Sequence, residues 1–231
     1  MTARVICGDC RNYIGALRRG AFFPVIVTDP PFNVGYHYAD YADNLAEAEY
    51  FAFLAEVLGF CPSVVVHYPE AISRLSIALG KPPRRVVSWV YNSNTARQHR
   101  DVAYFGIEPC FDGLGEYKNP TDKRIKARME RGLRARGYDW IYCDQVKNVT
   151  KGAEAHPCQM PLQVMLYILA TLPRCATIID PFTGSGTTLL AAQRLKMRAV
   201  GVEMSRNYCE IARARLAADS PLFDYVEGLG S

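Results

Sequence analysis

Short apolar, β-branched runs alternate with helical patterns along most of this chain. Residues 4–7 read as a strand ending at Gly8-Asp9, followed by a helical stretch through Leu17. Residues 22–28 (Phe22, Phe23, Val25, Ile26, Val27) read as a buried strand. Residues 45–58 place Tyr50, Phe51, Leu54, Val57 and Leu58 on one helical face, with Gly59 as the stop. A strand over 63–68, a short helix over 71–79 ended by Gly80 and Pro82-Pro83, and a strand over 85–91 continue the rhythm. Such alternation predicts a mainly parallel sheet covered by helices. Between 92 and 150 the rhythm breaks into Gly, Asn, Arg and aromatic residues with no repeating strand–helix unit, which marks a functional or disordered segment. Order returns with an apolar helix from Leu162, a strand over 176–180, a helix over 187–195, a strand over 198–203 and a last helix over 206–216.

A chain of 231 residues, 49% hydrophobic and 22% charged, supports one α/β domain with at most a small appendage. No apolar run reaches the roughly 18 residues that span a bilayer, and the first residues enter a strand without a signal-like region. The expectation is a soluble, cytoplasmic protein with no membrane partner. Cys7-Gly8-Asp9-Cys10 has redox or zinc spacing, yet no second pair completes a four-ligand site, so no metal is assigned and the eight cysteines are read as reduced thiols. Charge is uneven. Residues 121–137 carry seven basic side chains against Asp122 and Glu130, a local +5 in a chain of net +4.

Two loops carry the candidate chemistry. In Asp29-Pro30-Pro31-Phe32, directly after a strand, paired prolines fix the backbone and remove two N–H donors. A carboxylate, a rigid carbonyl and an aromatic face suit a flat ring bearing an amine. The plainer alternative is that Pro-Pro only ends a strand. The second loop, Asp180-Pro181-Phe182-Thr183-Gly184-Ser185-Gly186-Thr187-Thr188, lies between a strand and a helix, and the following strand ends in Glu203. Glycines let a ligand approach the backbone and the helix N-terminus, and a terminal carboxylate suits ribose hydroxyls. A triphosphate loop would need a lysine that is missing, and a dinucleotide loop a third glycine where Leu189 stands. S-adenosyl-L-methionine, which needs no pyrophosphate cradle, fits better.

Together these motifs resemble the β group of DNA amino-methyltransferases, the adenine-N6 and cytosine-N4 enzymes, in which the catalytic tetrapeptide precedes the cofactor loop. Gly8-Asp9-Cys10 resembles the family's early cofactor motif, His156-Pro157-x-Gln159-x-Pro161 the segment enclosing the cofactor's methionine part, and residues 208–216 its usual ending. Phe32 stands where Tyr is commoner, and Met160 where Lys is usual.

The resemblance implies an α/β S-adenosylmethionine-dependent methyltransferase (Rossmann-like) fold, circularly permuted, with a small target-recognition insertion. Residues 1–91 would form the catalytic half, 92–150 the recognition region and 151–231 the cofactor half. It assigns catalysis to Asp29, Pro30, Pro31 and Phe32. It assigns cofactor binding to Asp9, Cys10, His156, Gln159, Asp180, Pro181, Phe182, Gly184, Ser185, Gly186, Thr187, Thr188 and Glu203. The implied activity is site-specific methylation of adenine N6 in double-stranded DNA after base flipping, with cytosine N4 as the alternative. An RNA methyltransferase and an inactive DNA-binding protein of the same fold rank below these. Lys123, Arg124, Lys126, Arg128, Arg131 and Arg134 are expected to bind DNA phosphates, Tyr117, Tyr138 and Trp140 to add stacking; the plain alternative is a solvated charged helix. A homodimer and a cognate restriction endonuclease are partners compatible with the resemblance.

Overall fold

The computed structural model describes residues 3–35, 43–146 and 160–219. Within them one eight-stranded sheet runs in the order β1-β8-β7-β2-β3-β5-β4-β6. Its strands are β1 (Ala3–Cys7), β2 (Pro24–Thr28), β3 (Ser63–His67), β4 (Arg85–Val90), β5 (His99–Phe105), β6 (Trp140–Tyr142), β7 (Thr177–Asp180) and β8 (Arg198–Glu203). The first five in spatial order are parallel, β5 is antiparallel to both its neighbours, and β6 closes the far edge parallel to β4.

Period-two alternation divides the core in two. Val25, Val27, Val64, Val66, Val102 and Tyr104 face α5 (Leu162–Ala170) and α6 (Thr187–Arg194). Ile26, Val65, Ala103, Phe105 and Ile179 face α1 (Ile14–Gly20), α2 (Glu47–Leu58) and α3 (Pro69–Ala78). Successive strand residues point to opposite faces, so each strand feeds both layers. The five apolar positions expected on α2 are all buried. α7 (Arg206–Ala218) packs behind β1 and β8 through Cys209 and Ala212. Among the described residues no helix is long and apolar enough to cross a membrane.

Two expectations are corrected. Phe22 and Phe23 precede the strand and are exposed, and β2 begins at Pro24. Residues 92–150 are not without regular structure: β5 lies between β3 and β4, with Val102–Phe105 fully buried. Its first three residues are polar and only four apolar ones follow, too short a run for periodicity to separate from a loop. The aromatic loop around Tyr36, Tyr38 and Tyr41, the residues His156 and Gln159, and the tail after Asp219 lie outside the described residues.

Candidate active site

β2 and β7 are neighbours although about 150 residues separate them in sequence, with Pro24, Val25 and Ile26 opposite Thr177, Ile178 and Ile179. From β7 the chain moves to β8 on one side, and from β2 to β3 on the other. The crevice at the carboxyl ends of two such strands is where ligands bind in open α/β sheets. Asp29 follows β2 and Asp180 closes β7, so both candidate loops open into that crevice. The Thr28 hydroxyl donates to Asp180 Oδ1 at 2.7 Å, tying the loops at their bases.

One cavity of about 440 Å³ lies there, of a size suited to a small ligand. Its walls include Asp9, Cys10, Asp29, Pro30, Pro31, Phe32, Asp180, Pro181, Phe182, Gly184, Ser185, Thr187, Thr188 and Glu203. Gly186 lies beneath the lining. Its φ is +85°, and a Cβ there would stand 2.9 Å from the Ala212 Cβ, so glycine lets the turn seat against α7. Arg215 braces the same turn, donating to the Ser185 carbonyl at 2.6 Å and its hydroxyl at 2.8 Å. Met160 is buried and supplies an apolar wall.

The acidic groups sit in different environments. Glu203 accepts from the Gly184 N–H and the Ser205 N–H, both at 2.8 Å, which holds its carboxylate at the cavity wall. Asp9 accepts from the Arg11 N–H and guanidinium, and that hydrogen bonding holds its carboxyl below the usual range. Burial pushes Asp180 up to about 6, against hydrogen bonds from Thr188 and Thr28. Burial pushes Asp29 up to about 7; nearby Arg100 lowers it and Asp180 raises it further. Asp29 Oδ1 is buried with no hydrogen-bond partner among the described residues. The Cys10 thiol is raised to about 12 by burial and stays protonated.

Several residues that shape the tetrapeptide loop escape motif reading. The Tyr68 N–H donates to His67 Nδ1 at 2.7 Å, and burial pushes His67 down to about 3, so the ring is neutral with its proton on Nε2. That N–H donates to the Tyr50 hydroxyl at 2.8 Å, which donates to the Pro31 carbonyl at 2.6 Å. His67 also stacks on Phe32, with centroids 4.4 Å apart and planes 24° from parallel. Asn33, at φ +55°, exchanges two 2.8 Å hydrogen bonds with the Leu45 backbone, while Asp43 accepts from the Asn33 and Val34 N–H groups. Polar spacing in sequence gives no sign of these long-range bonds; only the αL tolerance of asparagine hints at Asn33. Tyr50→Phe should leave the His67 N–H and the Pro31 carbonyl without this shared partner, costing about 1–3 kcal/mol. Denaturant unfolding checks it: an unchanged midpoint would mean the relay adds nothing to stability.

The basic segment lies outside the cavity. α4 (Lys123–Glu130), capped by Asp122, has no buried residue, and none of Lys123, Arg124, Lys126, Arg128, Arg131 or Arg134 lines the pocket. Tyr138 and Trp140, both exposed, stack at 5.9 Å beside β6 at the far sheet edge. Tyr117 donates to the Leu133 carbonyl at 2.8 Å.

Comparison with known proteins adds independent findings. A family model described as DNA methylase, of the N6/N4 class, matches residues 84–214. The type II methyltransferase M.ScaI of Streptomyces caespitosus is 39% identical, over 86% of this chain and 76% of that protein. The type II methyltransferase M.HpaI of Haemophilus parainfluenzae is 26% identical, over 98% of this chain and 78% of that protein. Among solved structures, the M1.HpyAVI–SAM complex superposes with a TM-score of 0.59 at 21% identity, covering 93% of this chain and all of that one. The cytosine-N4-specific PvuII DNA methyltransferase superposes at 0.62 and 13% identity, covering 99% and 91%. These structural likenesses speak for the fold.

Proposed function

The chain belongs to the DNA methylase family of N6/N4 amino-methyltransferases, and from that premise we propose that it methylates adenine N6 in duplex DNA with S-adenosyl-L-methionine as donor. The observation that carries the reading is the Asp29 carboxylate, desolvated, with one oxygen lacking a hydrogen-bond partner among the described residues, in a cavity whose other wall is the glycine turn.

The residues present suit that donor. Glu203 is held at the wall to meet ribose hydroxyls, Asp9 and Cys10 border the place assigned to the adenine, and Gly184 lines the cavity for the amino-acid part while Gly186 seats the turn against α7. Cofactor-binding roles for His156, Gln159, Asp180, Pro181, Phe182, Ser185, Thr187 and Thr188 belong to the same proposal. When bound, the donor supplies a methyl group activated by a sulfonium.

The protein's part is placement and electrostatics. An extruded base enters beside Asp29. Asp29 and the Pro30 carbonyl accept its amine N–H bonds, Pro31 keeps the loop rigid, and Phe32 offers a stacking face. Accepting both N–H bonds turns the nitrogen lone pair towards the methyl group. Positive charge grows on that nitrogen, so a fixed carboxylate stabilises the transition state more than the neutral base. The ionised fraction of Asp29 carries the reaction, and that fraction grows as pH rises through about 7. Aspartate at the first position of the tetrapeptide favours adenine over cytosine by family resemblance.

The deciding experiment incubates the protein with labelled S-adenosyl-L-methionine and mixed-sequence duplex DNA, then digests and identifies the labelled nucleoside. N6-methyladenine is the expected product. N4-methylcytosine would transfer the reading to cytosine, and label in RNA but not in DNA would end it.

Lys123, Arg124, Lys126, Arg128, Arg131 and Arg134 are assigned to DNA phosphates. Each phosphate deprived of its cation should lower the salt slope by about 0.9. Neutralising Arg124, Arg128 and Arg131 together should flatten it by about two to three units, measured as log K against log salt. An unchanged slope would return α4 to the status of a solvated helix.

A further inference from the structure

Asp29 and Phe32 are not bare in the described structure. Arg100, second residue of β5, lies opposite Trp89 of β4 and reaches the crevice because β5 runs antiparallel between β3 and β4. Its Nη1 lies 3.8 Å from Asp29 Oδ2, and its guanidinium carbon lies 4.7 Å from the Phe32 centroid and 5.7 Å from that of Tyr68. The side chain is only 13% exposed, yet it lines the cavity. His67, itself 2% exposed, stacks on Phe32 from the core. Tyr68 packs edge-on to the same ring at 4.8 Å. Of the groups over Phe32, His67 lies outside the cavity lining and Arg100 within it, so Arg100 covers Phe32 from the side open to a ligand.

We propose that Arg100 is the resident occupant of the target-base position: a flat group bearing N–H donors that pairs with Asp29 and covers Phe32 until an extruded base displaces it. The inference rests on the methyltransferase reading and deepens it. A guanidinium resembles an amine-bearing ring in planarity and in its donors, and 4.7 Å falls in the range of about 4.5–7 Å at which stacked rings sit. A buried carboxylate left without a counter-charge is costly; the cation supplies one in the free enzyme. The competition also selects. A base with a stacking face but no exocyclic amine, such as thymine, offers Asp29 fewer N–H donors in exchange for the ion pair it gives up. Because the competent state is the one with Arg100 displaced, apparent affinity for every base is lowered by that fraction. Only a base that both pairs with Asp29 and stacks on Phe32 makes up the difference.

The charged groups around Asp29 are Arg100 from β5 and Asp180 from β7; His67 from β3 stays neutral, and Arg97 lies over the Tyr68 ring at 3.8 Å. The acidic limb of kcat/KM reports the free enzyme, and that of kcat reports the bound complex. Both are measured for the wild type and for Arg100→Ala and Arg100→Gln on the DNA site identified by labelling; the flat, neutral Gln head keeps the test alive if Ala does not fold. Removing a cation that lowers Asp29 should move the kcat/KM limb to higher pH, and on the plateau above that limb kcat/KM should rise several-fold because the competitor is gone, while the kcat limb stays in place because Arg100 has already left. Guanidinium chloride at non-denaturing concentration should then inhibit Arg100→Ala competitively against DNA, relative to equal sodium chloride. Movement of both limbs would make Arg100 a permanent partner of Asp29 and overturn the proposal; so would movement of neither, or rescue of kcat by guanidinium. Failure of the underlying reading looks different: wild-type protein that transfers no methyl group to DNA, or Asp29→Asn that transfers normally.

Discussion

Asp29→Asn should lower methyl transfer by about 10²–10³-fold or more, the loss typical of removing one preorganised partner of a developing charge. The substitution is close to isosteric, so Phe32, the Pro30 carbonyl and the glycine turn stay where they are. What disappears is the negative charge facing the amine nitrogen, whose positive charge exists only as the bond to the methyl group forms. The loss should therefore fall on kcat, and binding of S-adenosyl-L-methionine, which the proposed function assigns to the opposite wall around Glu203, should survive. Single-turnover transfer combined with calorimetric titration of the cofactor separates the two. A rate within tenfold of wild type would remove Asp29 from the mechanism, and a parallel loss of cofactor binding would show that the substitution damaged the pocket.

The same substitution should stabilise the fold at and above neutral pH. Asp29 is raised from 3.8 to about 7, chiefly by desolvation. Below about pH 4 the residue is protonated in both folded and unfolded chains and contributes no difference. Between about 4 and 7 the unfolded chain has released a proton that the folded chain still holds, so stability falls as pH rises; above 7 the full penalty remains. Asparagine has no proton to release and escapes it. Each pKa unit is worth about 1.4 kcal/mol, so the gain at pH 8 should be of the order of a few kcal/mol, reduced because the side chain keeps 18% exposure. For a domain of this size that corresponds to several degrees in Tm, at about 2–4 °C per kcal/mol. The Tm difference between the two proteins should open between pH 4 and 7 and stay constant above. A difference independent of pH would mean that the carboxylate is well solvated. Loss of activity joined to gain of stability marks a residue kept for function.

The order of elements was legible because β2, β3 and β7 are buried on both faces and carry adjacent apolar residues, and because the five buried positions of α2 recur at helical spacing. β5 was not: its outer half carries His99, Arg100 and Asp101, residues that serve the crevice and the pairing with Ser88 rather than the core. A strand whose end does chemistry loses the pattern that announces a strand.

The candidate site divides in the same way. Asp29-Pro30-Pro31-Phe32 and Asp180–Thr188 declare themselves through residue types that have local meaning: paired prolines, glycines needing positive φ, carboxylates closing strands. The Tyr50–His67–Pro31 relay and the Arg100 guanidinium over Phe32 depend on residues brought together from different elements, and no local rule marks them.

By itself, then, the amino-acid sequence determined the alternating α/β elements, the chemical character of the two loops and the family they point to, since backbone propensity, burial period and turn chemistry act within a few residues. Tertiary structure alone decided that β2 and β7 are neighbours, that Asp29 is stripped of water, and that an arginine from an unannounced strand lies against it. Desolvation and ion pairing depend on what surrounds a group in space, and those surroundings come from strands and helices far apart along the chain.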